Sequence, residues 1–319
     1  VLLILGVGIM LWMKPEENGV WEGEKTVEPG IGQVVLTLGD GESMPLKRDT
    51  NRLIFGGTML QVRNERGTLV YSRIKSKEAS EKIVYNTLTV PVRERFQLVL
   101  ADGTKVFLNS GSEMRYPERF GKARREVFLK GEAWFEVAKD SAREFWVHAG
   151  AMDVKVLGTS FNVKAYERLE TVATTLVEGS VEVACAGKSF QIVPGEQFVY
   201  DKNNRVMDVR MVDTESYVSW KDGYYKFRQT TLEEIMETLS VWYGLNVFYV
   251  NESAKQVEFT GKVKRYEDAR MLLDKFEQTG DVVFDIKGNN VFITIKQKKP
   301  FAREWNSFLV KARGMVWQS

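Results

Sequence analysis

The chain has 319 residues, enough for two or three domains with substantial cores. A formal net charge of +2 gives bulk electrostatics no reason to favour nucleic acid as a partner. One histidine, His148, and one cysteine, Cys185, exclude an internal disulfide and disfavour zinc sites, Ser-His-Asp triads and most general-base chemistry, while the 43 carboxylates leave room for a glycosidase or a magnesium site.

The chain starts at Val1 with thirteen uncharged residues, VLLILGVGIMLWM, followed by Lys14-Pro15. At about 1.5 Å per residue the run covers roughly 20 Å, less than the ~30 Å hydrocarbon core of a bilayer. Trp12 suits a membrane interface. Residues 1–13 read as the distal end of a transmembrane helix whose start is missing. A signal-peptide core or a buried strand are the other readings, and no small-residue cleavage site follows Met13. Residues 14–28 read as a polar linker.

From residue 29 to 212 strand signals dominate. Arg95–Leu100 alternates, Asp102-Gly103 offers the positive φ of a tight primed turn, and Thr104–Leu108 returns. Further strands are expected at Arg125–Lys130, Ala133–Val137, Phe145–His148, Asp153–Leu157, Phe161–Ala165, Val172–Val177, Val181–Cys185, Ser189–Val193 and Gln197–Tyr200. Glycines at 121, 131, 150, 158, 179, 187 and 195 separate most of them. Short strands at this spacing predict an all-β sandwich, barrel or solenoid. Residues 29–46 align with 91–108 at an offset of 62, with Leu36/Leu98, Asp40/Asp102 and Gly41/Gly103 coinciding. Two copies do not make a repeat array.

The grammar changes near residue 217. Tyr225–Phe227 is a short strand. Thr231 is a helix N-cap with Glu234 three positions later, and Leu232, Ile235, Met236, Leu239 and Tyr243 recur at helical spacing before Gly244. Strands follow at Asn246–Val250 and Val257–Gly261. A second helix presents Ala269, Leu272, Leu273 and Phe276, with Gly280 as its stop. Val282–Ile286 and Val291–Ile295 form a hairpin. The βαββαββ order over 217–296 predicts a small α+β domain with both helices on one face of one sheet. The tail, 297–319, places Trp305, Phe308, Leu309, Ala312 and Val316 at helical spacing, as an amphipathic helix or as a disordered end.

Catalytic motifs fail in turn. Gly187-Lys188-Ser189 imitates the end of a P-loop, but Glu182 stands where the first glycine belongs. Gly158-Thr159-Ser160-Phe161-Asn162 lacks the closing glycine of a nucleophile elbow, and Ser72-Arg73-Ile74-Lys75 has no Lys-Thr-Gly partner. His148 reads as a packed or exposed strand residue beside Trp146, and Cys185 as a small core residue. Glu132 and Glu136 share a strand face about 13 Å apart, wider than either glycosidase geometry, and read as solvent-facing. The 18 Phe, 11 Tyr and 8 Trp mostly alternate within strands and read as core before they read as a sugar-stacking surface. No catalytic, cofactor-binding or metal-binding residue is assigned, and partner-binding residues remain unassigned.

The segments 89–120, 125–140, 156–166, 174–183 and 193–201, including TVPVRERFQLVLADGTKVFLNSGSEMRYPERF, REVFLKGEAWFEVAKD and VLGTSFNVKAY, resemble the FecR domain in its Bacteroidota form. Residues 218–295, with SWKDGYYKF and LEEIMETLSVWYGLNVFY, resemble the C-terminal domain that follows it, which is similar to the short secretin/TonB N-terminal signalling domain. The resemblance implies a single-pass inner-membrane anti-sigma regulator with its bulk in the periplasm. Its implied partners are the signalling domain of a TonB-dependent outer-membrane transporter and an extracytoplasmic-function sigma factor, the latter held by a cytoplasmic segment missing here. A carbohydrate-binding β module and a carboxylate-based glycan enzyme are the alternatives.

Overall fold

The computed structural model describes residues 32–46, 52–55, 60–65, 68–73, 83–265, 268–279 and 281–296. The expected helix 1–13, linker 14–28, tail 297–319 and the stop at Gly280 lie outside the described residues, as does Lys75.

Alternation in the sequence becomes eighteen strands: β1 (Val34–Thr37), β2 (Ser43–Leu46), β3 (Arg52–Phe55), β4 (Leu60–Glu65), β5 (Thr68–Arg73), β6 (Tyr85–Thr89), β7 (Phe96–Val99), β8 (Lys105–Leu108), β9 (Glu113–Pro117), β10 (Arg125–Glu136), β11 (Phe145–Ala149), β12 (Met152–Val156), β13 (Ser160–Ala165), β14 (Thr171–Glu178), β15 (Val181–Cys185), β16 (Lys188–Ile192), β17 (Glu196–Asp201) and β18 (Val206–Met211). They form two arms. One runs β2-β1-β6-β9-β10-β11-β12-β15-β16, the other β3-β4-β5-β7-β8-β10-β13-β14-β17-β18. Their inward side chains meet in one hydrophobic cluster, where Phe135 of the second arm lies 6.2 Å from Phe145 of the first. The region is a sandwich whose two layers share a strand.

That shared strand corrects the expectation of two strands around Gly131. β10 is continuous over 12 residues. Its first half pairs with β9 and β11, and its second half with β8 and β13. Gly131 sits at φ 101°, and a Cβ there would lie 2.5 Å from the Ser112 hydroxyl. Only glycine tolerates that backbone and that approach, so the strand passes from one layer to the other at this point.

The echo at offset 62 is visible in the backbone. Leu38 N donates to Glu42 O at 2.8 Å and Gly41 N to Leu38 O at 2.9 Å; Leu100 N to Thr104 O and Gly103 N to Leu100 O repeat the pattern, both at 2.9 Å. These are three-residue turns with the positive φ confined to Gly41 and Gly103, rather than two-residue primed turns. The second copy has a further use. Arg125, fully buried, donates to Asp102 at 2.8 Å and to the carbonyls of Ala138 and Arg143 at 2.8 and 2.9 Å. The turn aspartate is also the counter-ion of a core arginine.

The C-terminal region begins with a connector that strand and helix patterning did not foretell: α1 (Thr214–Val218) and a 3-10 turn, Ser219–Asp222. Then come β19 (Tyr224–Thr231), α2 (Leu232–Tyr243), β20 (Asn246–Tyr249), β21 (Glu258–Lys264), α3 (Ala269–Glu277), β22 (Val282–Lys287) and β23 (Asn290–Ile295), the expected order. Thr231 Oγ1 accepts from the Glu234 amide at 3.3 Å, and Gly244 closes α2 at φ 68°. The strands do not form one sheet, however. β19 pairs with β21, and β20-β23-β22 forms a second sheet with β20 and β23 parallel. Buried residues of both helices and both sheets share one cluster; Phe276 of α3 touches Phe259 of β21 at 4.9 Å. Both helices bury their apolar stripes in this shared cluster.

Candidate functional site at the junction of the two regions

The expected solvent face of β10 is covered. Glu132 is only 8% exposed and Trp134 only 4%, and Trp134 packs into the hydrophobic cluster of the C-terminal region. Glu136 alone keeps to the solvent side, half-exposed and paired with Lys105 at 3.6 Å.

Glu132 is the centre of a polar network. Its two carboxylate oxygens accept from the side-chain amides of Asn109 at 2.7 Å and Asn162 at 2.9 Å. Each asparagine passes the contact to the C-terminal region. Asn109 Oδ1 accepts from Arg265 at 2.9 Å, and Asn162 Oδ1 accepts from the indole of Trp220 at 3.2 Å. Arg265 also donates to Trp220 O at 2.9 Å and to the Tyr225 hydroxyl at 3.2 Å, and its guanidinium stacks 3.2 Å from the Trp242 ring centre. Burial raises the Tyr225 pKa, and Arg265 beside it works in the opposite sense. Around this network, Ser110 Oγ donates towards Val241 O at 3.1 Å, Arg93 N donates to Trp242 O at 3.1 Å, and Arg95 donates to Trp220 O and Lys221 O.

One side of the junction is open. A cleft of about 320 Å³ lies between the outer face of β13, β14, β17 and β18 and the elements α1, α2 and β19. Its floor is a cross-strand polar row. Gln197 donates to Thr175 at 2.9 Å and accepts from Arg210 at 3.2 Å. Two ion pairs span the cleft, Lys164–Glu237 at 3.6 Å and Arg210–Glu234 at 4.0 Å.

The other sequence candidates fall elsewhere. His148 stacks on Phe128 at 4.9 Å and on Trp146 at 6.3 Å, with Nδ1 2.7 Å from Asp153 and Nε2 3.5 Å from Glu126. Arg115 and Lys155 cap this row over Tyr85, Phe128 and Trp146. The row is the nearest thing to an aromatic sugar platform, but its ring faces are engaged by neighbouring rings and cations. Cys185 is 2% exposed in the β core, and burial pushes its thiol up, away from the reactive thiolate. Gly187-Lys188 lies in a strand-turn-strand, as expected.

Edge strands bear on partner binding, because an unpaired edge can accept a further strand. Charges mark β3, β16, β18, β19, β21 and β22, and Pro45 marks β2. Among the described edge strands, β20, Asn246-Val247-Phe248-Tyr249, alone has neither. Its amide at Asn246 donates to Asn289 O and, just beyond it, that of Val250 to Ile293 O of β23, which turns the backbone groups of Val247 and Tyr249 to the open side. Phe248 is 47% exposed and stacks on Phe292 at 5.1 Å.

Family profiles and solved structures match both the β region and the α+β module. The FecR protein profile matches residues 86–182, and the FecR C-terminal profile matches residues 224–293. Crystal structures at 1.65 and 2.50 Å of a Parabacteroides distasonis protein, whose role as an anti-sigma factor is itself an assignment, superpose with a TM-score of 0.60 at 27% identity. They cover 66% and 67% of this chain, and 99% and 100% of their own. No curated protein matches. The chain belongs to the FecR family, a regulatory and non-enzymatic family whose members are generally membrane-anchored. Among the described residues no helix is long and apolar enough to cross a membrane.

Proposed function

We propose that this chain is the receiving end of a transmembrane relay. Residues 29–212 and 217–296 act as its periplasmic β and docking domains, and the apolar run 1–13 belongs to a single inner-membrane anchor. A TonB-dependent outer-membrane transporter presents its signalling domain to the C-terminal module. The message passes inward to an extracytoplasmic-function sigma factor. No catalytic step is assigned to the chain.

The observation that supports this reading best is the tandem of FecR and FecR C-terminal segments in one chain. The bare β20 edge supplies a physical docking mode. A strand of the partner adds to it through main-chain hydrogen bonds, and apolar side chains lie against Phe248 and Phe292. The test is to remove residues 217–319 and measure binding to the signalling domains of transporters from the same organism. Binding is expected to disappear; undiminished binding would sink the reading.

A further inference from the structure

We infer that the network around Glu132 couples the two regions into one cooperative unit, so that a load placed on the C-terminal module reaches the β region instead of being lost in a loose joint. The direction of the load rests on the proposed function. The coupling is a property of the chain alone.

Glu132 is a buried carboxylate held by two neutral amides. Among the described residues no cation lies within ion-pair distance of it. The positive charge that balances it comes from the other region, through Asn109 to Arg265. Lys164 stands directly across from Glu132 on β13, but its ammonium pairs with Glu237 of α2. Separating the regions therefore breaks the contacts of both asparagines with Arg265 and Trp220 and exposes the apolar surface of Trp134 and Trp220 to water. The connector offers no slack. Trp220 belongs to it and is pinned twice, by its indole to Asn162 and by its carbonyl to Arg265.

The cleft that this network borders contrasts with it. The two ion pairs across the cleft are longer, at 3.6 and 4.0 Å, and pairs near the surface contribute little. The orientation of the module is thus set chiefly by the network around Glu132, whose groups are bonded to one another.

Differential scanning calorimetry of the full chain tests this. The unaltered chain is expected to unfold in one transition. Arg265→Ala, and independently the near-isosteric Glu132→Gln, are expected to split it in two. The upper transition should remain where the parent unfolds, and the lower should coincide with the change in tryptophan fluorescence. Lys164→Ala is expected to leave one transition. Two transitions in the unaltered chain, or a single one in both Arg265→Ala and Glu132→Gln whether shifted or not, would overturn the inference. Binding of the transporter domain, measured in parallel, separates the two ideas. Loss of binding by the unaltered chain counts against the proposed function and leaves the coupling result standing.

Discussion

Arg125 and Glu132 sit on the same strand, one in each layer of the β region, and both bury a charge. Arg125 closes its account locally: Asp102 and backbone carbonyls, all within the β region, surround the guanidinium. Glu132 is satisfied only with the help of Asn109, Asn162 and, behind them, Arg265 and Trp220 of the C-terminal region. A charge paired within one region fixes that region's shape. A charge balanced across a junction makes one region's integrity depend on the other's position. The first arrangement suits a scaffold, and the second suits a receiver that must register what happens to its neighbour.

The contrast can be broken most forcefully at Arg125. Arg125→Met leaves the Asp102 carboxylate buried without its cation and is expected to cost about 3–5 kcal/mol in chemical denaturation. Binding by the C-terminal module, tested at a temperature where the variant is folded, should be unchanged. A comparable loss of binding would show that the two buried charges are not separable. Next in size is the bend between them. Gly131→Ala forces a side chain into a positive-φ position against Ser112, with an expected loss of about 1–3 kcal/mol by the same measurement.

Alkaline pH probes a pair of buried tyrosines in the core of the β region. The Tyr71 and Tyr116 hydroxyls are 3.0 Å apart in the core, and Asn86 donates to Tyr71. Burial pushes Tyr71 up to about 12 and Tyr116 well above its ordinary value. Both phenols are held neutral, so their contribution is complete below the unfolded value near 10 and is lost as pH rises through the folded values. At pH 11 the loss from Tyr71 is about 1 kcal/mol. Denaturation midpoints at pH 8 and 11, with phenolate absorbance followed alongside, should show it. The smallest effect is expected at the cleft, where Glu237→Ala removes a partly exposed ion pair and should change stability by less than about 1 kcal/mol.

Much of this architecture was legible in the sequence. Alternation located β7, β8 and β10 to β17, because a strand with one face on a core repeats every two residues, but it did not single out β3 to β6, β9 or β18. Leu232, Ile235, Met236 and Leu239 located α2, because only a helix brings those positions together, and all four are buried. What covers the other face of a strand was not legible. Glu132, Asn162 and Gln197 are polar residues at outward positions, which is how solvent-facing residues also look, yet they are 8%, 3% and 3% exposed. Nothing local separates a polar residue that meets water from one that meets another region. The split of the C-terminal strands into two sheets was hidden for the same reason, since pairing depends on contacts distant in sequence. Arg265, the far end of the Glu132 network, follows Lys264 in a basic stretch and gives no sign of its partners.

The proposal that the C-terminal module receives a partner strand at the open edge of β20 is the one to test first. Amide hydrogen exchange of the full chain, with and without a transporter's signalling domain, tests this directly. The account predicts new protection at Val247 and Tyr249, whose backbone groups face away from β23. Complex formation that leaves those two amides exchanging as before would contradict it.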